Sequence, residues 1–435
     1  MDIVKTGITL TKTIRNVGRL REIAVIFARH GFSEFMRSAV TSKVPGIVLP
    51  RSKKEIDKEL QKTQKNDWPL ILGSRLRKVF EELGPAFIKF GQLLSSREDI
   101  FEPSFISEMK KLRDEVKEVP LSEVEQIMGE SLGVDSKEIF SQIDEKPLGT
   151  ASIGVVYKAR LKSGENVVVK VRRPGIVRMI ETDFSIILFL AEQLEKFSEE
   201  VRYLGLSRVV KNFAVSLQSE LNFHIEANNC KTLTENLKHH NAETIHLPKI
   251  YDEFTREDIL VMEFIDGIPF SDSAAVADHL EEIREKLDQA VSAFLKTFLK
   301  DGFFHADLHG GNFFLMNNGK LGIVDFGLMG RLGRKGRQNF ISIIYSLVHH
   351  NYENLVYEFL DVAEYETIPD IDQLISDIKD SLGPFVGLTV QQANFTLILQ
   401  SVIETLRKHR IYLPRDWFVV FRALMTLDGV GKSLD

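Results

Sequence analysis

The chain has 435 residues, 43% of them hydrophobic and 27% charged. Such a chain buries a large core over two or three domains and is not a disordered, collagen-like or disulfide-scaffold protein. Sixty-two acidic residues against 56 basic give a net charge of -6, without the positive field that nucleic-acid binding uses, so no nucleic-acid partner is expected. The charge is uneven, with 14 Lys or Arg against 6 Asp or Glu in residues 1–66 and a net -14 in the rest.

Taken in chain order, the segment Ile8–Arg37 is helical in pattern. Ile14, Val17, Leu20, Ile23, Ile26 and Phe27 recur at three- and four-residue spacing between basic residues. Such a helix either packs on the body of the protein or lies on the surface and meets anionic lipid or a partner, since basic charge beside an apolar stripe suits both of the latter. Lys5, Lys12, Arg15, Arg19 and Arg21 break every apolar run that a secretory signal would need. Residues 50–67 read as a solvated linker. From Leu70 to Met128 the pattern is helical again, and Pro85 suits a first helical turn. Lys89 and Gln92, three apart, share a face of that helix.

Between Pro147 and Val171 the period becomes strand-like: Ser152–Leu161, a turn at 162–166, then Val167–Val171 form a hairpin. Helices follow over 176–199 and 205–238, a strand over Ile259–Ile265, and a helix near 278–300. Short strand-and-loop units come at 303–315 and 320–326, and 337–430 is mostly helical. Ser381–Ile403 has no charge over 23 residues, but Pro384, Gln391, Gln392, Asn394 and Gln400 make it too polar to span a membrane. It reads as a loop followed by a buried helix. Strands before helices predict an α+β fold. The lone Cys230 permits neither an internal disulfide nor a CxxC metal site and fits a reducing compartment.

Three elements in fixed order carry chemistry. The loop Gly149-Thr150-Ala151-Ser152-Ile-Gly154-Val-Val156 follows the kinase pattern G-x-G-x-x-G-x-V except at Ala151, where a methyl should alter how phosphate approaches the backbone. Lys170, 16 residues after Gly154, lies inside an apolar strand and needs an anion: phosphate, or a helix glutamate, for which Glu220 and Glu226 are the candidates. On one continuous helix these glutamates, six apart, would point about 240° from one another. Third comes His305-Ala-Asp307-Leu-His309-Gly-Gly-Asn312, with Asp325-Phe326-Gly327 after it. Asp307 stands five before Asn312, as a catalytic base stands before a metal-binding Asn, and Asp325 occupies the position of the DFG aspartate. Alternating His305, Asp307 and His309 could instead hold a metal, a reading that leaves Lys170 and the Gly149 loop without a role. Phe303 and Phe304 read as core.

These residues resemble the UbiB family of atypical kinases, also called AarF-domain kinases, from about Leu70 to the C-terminus. The family's KxGQ motif stands as Lys89-Phe-Gly91-Gln92, its HADPHPGN as residues 305–312 with Leu308 and Gly310 for the prolines, its ExD motif as Glu220-Leu221-Asn222, and its AAAS loop as residues 149–152. The resemblance implies a two-lobe protein-kinase-like fold with an N-terminal helical extension. Segments are expected at 1–66 (basic segment and linker), 67–135 (KxGQ helices), 136–267 (sheet lobe with a helical insertion) and 268–435 (helical lobe). It further implies ATP or ADP with Mg2+ as cofactors, Asp307 as base, Asn312 and Asp325 as metal ligands, and Lys170 as phosphate contact. Gly149, Thr150, Ala151, Ser152, Gly154, Val156 and Glu263 complete the nucleotide site, and Lys89 with Gln92 forms a lid.

Ala306 replaces the arginine of the ordinary kinase loop, and residues 327–340 contain no Ser, Thr or Tyr and no APE, so a peptide substrate is not expected. The expected activity is an ATP- and Mg-dependent kinase or ATPase serving isoprenoid quinone or membrane lipid metabolism, peripherally bound to an anionic membrane on its cytoplasmic side. A lipid, a quinone precursor or quinone-biosynthesis proteins are the expected partners. The alternatives are a non-catalytic nucleotide-binding scaffold that extracts lipid and a small-molecule phosphotransferase. Many relatives carry C-terminal transmembrane helices, so a chain ending at Asp435 reads as a soluble member or a truncated one.

Overall fold

The computed structural model describes residues 17–41, 68–95, 97, 100–112, 119–150, 153–365, 367–386 and 394–433. The 50–67 linker, Ala151 and Ser152 lie outside them. In chain order, α1 (Val17–Phe27), α2 (Trp68–Leu83), α3 (Pro85–Ser95), α4 (Pro103–Met109) and α5 (Leu121–Leu132) precede the strands β1 (Phe140–Ile143), β2 (Gly149–Thr150), β3 (Gly154–Leu161) and β4 (Asn166–Arg172). Then come α6 (Ile176–Phe197), α7 (Leu206–Glu220), α8 (Phe223–His239), β5 (Ile245–His246), β6 (Ile259–Glu263), β7 (Gly267–Pro269) and α9 (Leu280–Lys296). The strands β8 (Phe303–His305), β9 (Phe313–Met316), β10 (Leu321–Ile323) and β11 (Met329–Arg331) lead into α10 (Arg334–Val348), α11 (Tyr352–Val362), α12 (Ile371–Leu382), α13 (Phe395–Lys408) and α14 (Arg415–Ser433). The expected α+β class is found.

Two compact units share this chain: 1–127, 147–156 and 171–221 form one, and 128–146, 157–170 and 222–435 the other. In the first, Leu20, Ile23 and Phe27 of α1 are buried, so this helix packs on the body of the unit. Arg19 forks onto Asp183 of α6, Nε to Oδ1 at 2.7 Å and Nη2 to Oδ2 at 2.8 Å, and also donates to the Leu83 carbonyl. A helix unbroken to Arg37 is not what forms, because Gly31 takes φ +98 and interrupts it. Pro85 opens α3 as expected, after Gly84 at φ +97 has turned the chain. Phe80, Phe87 and Phe90 meet at the turn between α2 and α3, and Phe90 and Phe184 both pack on Phe213 of α7. A Cβ on Gly91 would lie 2.2 Å from Leu112 and 2.7 Å from Phe80, so the glycine of the KxGQ motif permits close packing of α3.

One sheet pairs its strands in the order β1-β3-β4-β6. A second sheet has the order β5-β10-β9-β7, with β10 parallel to β5 and antiparallel to β9, and β8 pairs antiparallel with β11. Phe303 and Phe304 are both 4% exposed. Alternation on β8 sends them into two different cores: Phe303 joins Phe313, Leu308 and Phe326, and Phe304 joins Phe340, Phe359 and Trp417 of the helical region. Short strands anchored on both sides hold the loops between them, where the polar residues of interest lie.

Candidate active site

The expected single helix over 205–238 is two helices. Glu220 ends α7, and Asn222 begins a new helix by accepting the His224 N–H on its side chain, 3.0 Å away. Asp and Asn cap equally well, so this function of the ExD position survives the exchange. The break gives the two glutamates different tasks. Glu220 pairs with Lys89 at 3.5 Å in the first unit, where Gln92 also donates to the Leu112 carbonyl at 3.5 Å. Glu226, in the first turn of α8, takes the Lys170 ammonium on both carboxylate oxygens, at 3.0 and 2.8 Å.

Lys170 comes from the centre of β4 and also lies 3.9 Å from Asp325 and 5.3 Å from the Phe223 ring centroid. Glu226 is 5% exposed. Burial pushes its carboxyl above the usual range, the Asp325 charge adds to the rise, and Lys170 opposes it. On the same helix Asn229 donates to the Phe326 carbonyl at 3.0 Å, tying α8 to the DFG segment. Sequence reading passed over Asn229, whose signal was an amide on a face otherwise carrying Glu226, Cys230 and Leu233.

His305 organises the loop between the strands. Its Nε2 donates to the Asp325 carbonyl at 2.8 Å, and its Nδ1 accepts the Asp307 N–H at 3.1 Å. Both nitrogens are therefore used by backbone, and burial holds the imidazole below its usual titration range. A neutral His305 engaged in this way is no metal ligand, and His309 Nδ1 accepts the Gly311 N–H. Among the described residues no group of three His, Cys, Asp or Glu could hold a metal, which removes support from the His-Asp-His metal reading.

Asn312, 6% exposed, donates from its amide nitrogen to the Asp307 carbonyl at 2.9 Å. Its own backbone carbonyl accepts from Val324 at 3.1 Å, so the residue fixes the loop to the approach of the DFG segment. Asp325 is a non-glycine residue at φ +64, a strained conformation of the kind found where a site imposes it. Its side chain is half-exposed, and Oδ1 accepts the Gly327 N–H at 3.2 Å. Asp325 and the Asn312 amide oxygen are hard oxygen donors from two elements. They suit Mg2+, which binds through one or two protein ligands, substrate phosphates and water and needs no protein cage.

The remaining predicted residues divide. Gly149 and Thr150 are exposed on β2 and pair antiparallel with Val156 and Val155 of β3. Among the described residues a Cβ on Gly149 would meet nothing within 4 Å, so none of them requires glycine there. Glu263 is spent locally: its carboxylate meets His246 Nε2 at 3.0 Å and accepts the Lys249 N–H at 3.0 Å. At the positions of the two prolines, Leu308 fills the core at 1% exposure and Gly310 leaves a Cβ at ordinary distance from Phe270. Arg422 of α14 was missed. It donates Nη2 to Asp307 Oδ1 at 2.8 Å, and nothing in the local pattern of that amphipathic helix marks it.

The ABC1 atypical kinase-like domain matches residues 111–359, and the UbiB helical domain matches residues 378–435. This chain belongs to the UbiB family of atypical kinases. A Pseudomonas entomophila protein described as "Probable protein kinase UbiB" is 30% identical over 84% of this chain and 69% of its own length. Its Pseudomonas putida counterpart is 29% identical over 84% and 68%. Among solved structures, Rv3197 of Mycobacterium tuberculosis, determined in complex with erythromycin, aligns with TM-score 0.50 at 19% identity over 88% of this chain and 95% of that one. That likeness extends to the fold.

Proposed function

We propose that this UbiB-family chain uses ATP and Mg2+ as a kinase or ATPase supporting isoprenoid quinone biosynthesis or the handling of membrane lipid. The observation that carries the chemical part is the Lys170 ammonium, held on both oxygens of buried Glu226 and 3.9 Å from Asp325. Kinases use that arrangement to place a lysine on the α- and β-phosphates beside a metal-binding aspartate. Asp325 and Asn312 would hold the magnesium, which when bound neutralises charge on the phosphate oxygens. Asp307 accepts the proton of the attacking hydroxyl or water. His305 fixes the backbone of Asp307 and Asp325 to one another, so both carboxylates keep their aim as charge moves.

The biological part rests on the resemblance and on the UbiB name of the Pseudomonas relatives. A non-peptide acceptor suits the sequence, since Ala306 replaces the arginine of the ordinary kinase loop and residues 327–340 contain no APE segment of the kind that docks a peptide. Among the described residues no helix is long and apolar enough to cross a membrane, so contact with a bilayer would be peripheral for this part of the chain. The basic residues of 1–66 other than Arg19 and Arg29, which pair with Asp183 and Glu82, are the proposed contact, each worth about 1 kcal/mol near an anionic surface.

Phosphate release from ATP by the purified chain, with and without anionic liposomes, tests the reading. Asp307→Asn should lower release at least about 100-fold while ATP still binds, the range expected for losing a general base. Release by this variant at the wild-type rate would overturn the assignment of Asp307, and ATP binding without release by the wild type would favour the scaffold.

A further inference from the structure

We infer that Arg422 is the acceptor-reading residue of this site, and that it selects a hydroxyl-bearing substrate with an anionic phosphate or carboxylate next to the hydroxyl. The inference rests on the reading of Asp307 as base. Arg422 reaches from α14 to place Nη2 2.8 Å from Asp307 Oδ1. That is hydrogen-bonding distance from the catalytic carboxylate, where an acceptor hydroxyl has to arrive. Arg422 therefore lies beside the reacting oxygen of whatever enters.

Stability does not account for the pairing. The two side chains are 43% and 27% exposed, and a pair so open to water adds little to stability. The catalytic loop supplies no cation of its own, because Ala306 stands where ordinary kinases have arginine and residues 308–311 are Leu, His, Gly and Gly. The guanidinium comes from a different part of the chain and makes this contact through Nη2. Its planar fork of donors matches a phosphate or carboxylate with two parallel hydrogen bonds, a better match than one carboxylate oxygen.

An acceptor carrying both groups satisfies both residues at once: its anion takes the Arg422 fork, and its hydroxyl takes the freed Asp307 oxygen. In the transfer, the acceptor oxygen bonds to the γ-phosphorus of ATP, the bond from that phosphorus to the β,γ-bridging oxygen breaks, ADP leaves, and the hydroxyl proton passes to Asp307. An acceptor without the anion leaves Arg422 on Asp307 and is discriminated against. The anion could belong to a soluble metabolite or to a lipid headgroup, since both present phosphate beside hydroxyl.

ADP formation by the full chain with ATP and Mg2+ tests this, using glycerol 3-phosphate against glycerol, and phosphatidylglycerol vesicles against phosphatidylcholine vesicles. Wild type should respond to at least one anionic probe and to neither neutral one. A response to glycerol 3-phosphate assigns a soluble source, and a response to the vesicles alone assigns a headgroup. Arg422→Gln should raise the half-saturating concentration of the responsive probe at least tenfold with unchanged melting temperature and ATP affinity, and Arg422→Lys should recover part of it. An Arg422→Gln response equal to wild type, or a wild type indifferent to both anionic probes, overturns the inference. Either result leaves Asp307 as base intact if Asp307→Asn still abolishes turnover, whereas equal turnover by Asp307→Asn removes the base assignment and this inference with it.

Discussion

Lys170–Glu226 and Arg422–Asp307 are both cation–carboxylate pairs of the second unit, but water reaches them very differently. The side chains of the first pair are 19% and 6% exposed, those of the second 43% and 27%. The buried pair is bidentate and roofed by the Phe223 ring; neither partner can leave without stranding the other in a poorly solvated place. The open pair can exchange one partner for water or substrate at little cost. Within one site, the difference separates a fixed electrostatic element from a replaceable one.

The largest effect expected from breaking this contrast follows Lys170→Met. Removing one member of a buried pair costs about 3–5 kcal/mol, read as a shift in the denaturation midpoint. The double variant Lys170→Met, Glu226→Met should recover most of that stability and none of the ATP binding, because the second substitution removes the stranded carboxyl and does not restore the phosphate contact. If Lys170→Met costs no more than Arg422→Gln, the two pairs are equivalent and the contrast fails.

His305 sharpens the comparison through pH. Burial lowers its titration in the folded state, so below about 6.5, its ordinary value, the unfolded chain binds the proton that the folded chain refuses. Its contribution to stability is present above that value and is lost as pH falls. The loss approaches about 1.4 kcal/mol per pH unit for one group until the folded imidazole titrates. His305→Gln should flatten this acid limb in denaturation curves between pH 7 and 5. An unchanged slope would assign the acid sensitivity to other groups.

Lys89 gives the smallest expected change in stability. Its pair with Glu220 is partly solvated, so Lys89→Ala should cost less than about 1 kcal/mol. ATP turnover should nevertheless fall at least tenfold if the family resemblance carries its meaning. Wild-type turnover and affinity would leave Lys89 as a surface pair and remove the lid.

How far the sequence speaks depends on whether a function is written in local spacing. The hairpin around the 162–166 turn, the opening of α3 at Pro85 and the core position of Phe303 and Phe304 follow from turn chemistry, fixed proline geometry and alternation, all local. For the same reason catalytic-loop spacing singled out Asp307, Asn312 and Asp325, which the His305 ring and the Asn312 amide link to one another. The choice between Glu220 and Glu226 was not legible, because it turned on Asn222 ending one helix and capping the next, which a helical period running through both sides conceals. Arg422 was invisible for a different reason: it lies 115 residues from Asp307, and only the fold of the helical region brings an unmarked arginine to that carboxylate. The packing need for Gly91 likewise depended on where Leu112 and Phe80 come to rest.

Magnesium-dependent ATP binding through Asp325 tests the central claim most directly. Differential scanning of the wild type with ATP should show stabilisation that appears with Mg2+ and grows with ATP concentration, by about 2.7 kcal/mol at a hundredfold excess over Kd. Asp325→Asn keeps the shape of the side chain and removes its charge, and should abolish the magnesium-dependent part of that stabilisation. If Asp325→Asn is stabilised by ATP and Mg2+ as fully as the wild type, Asp325 holds no metal and the kinase-like assignment of this site is wrong.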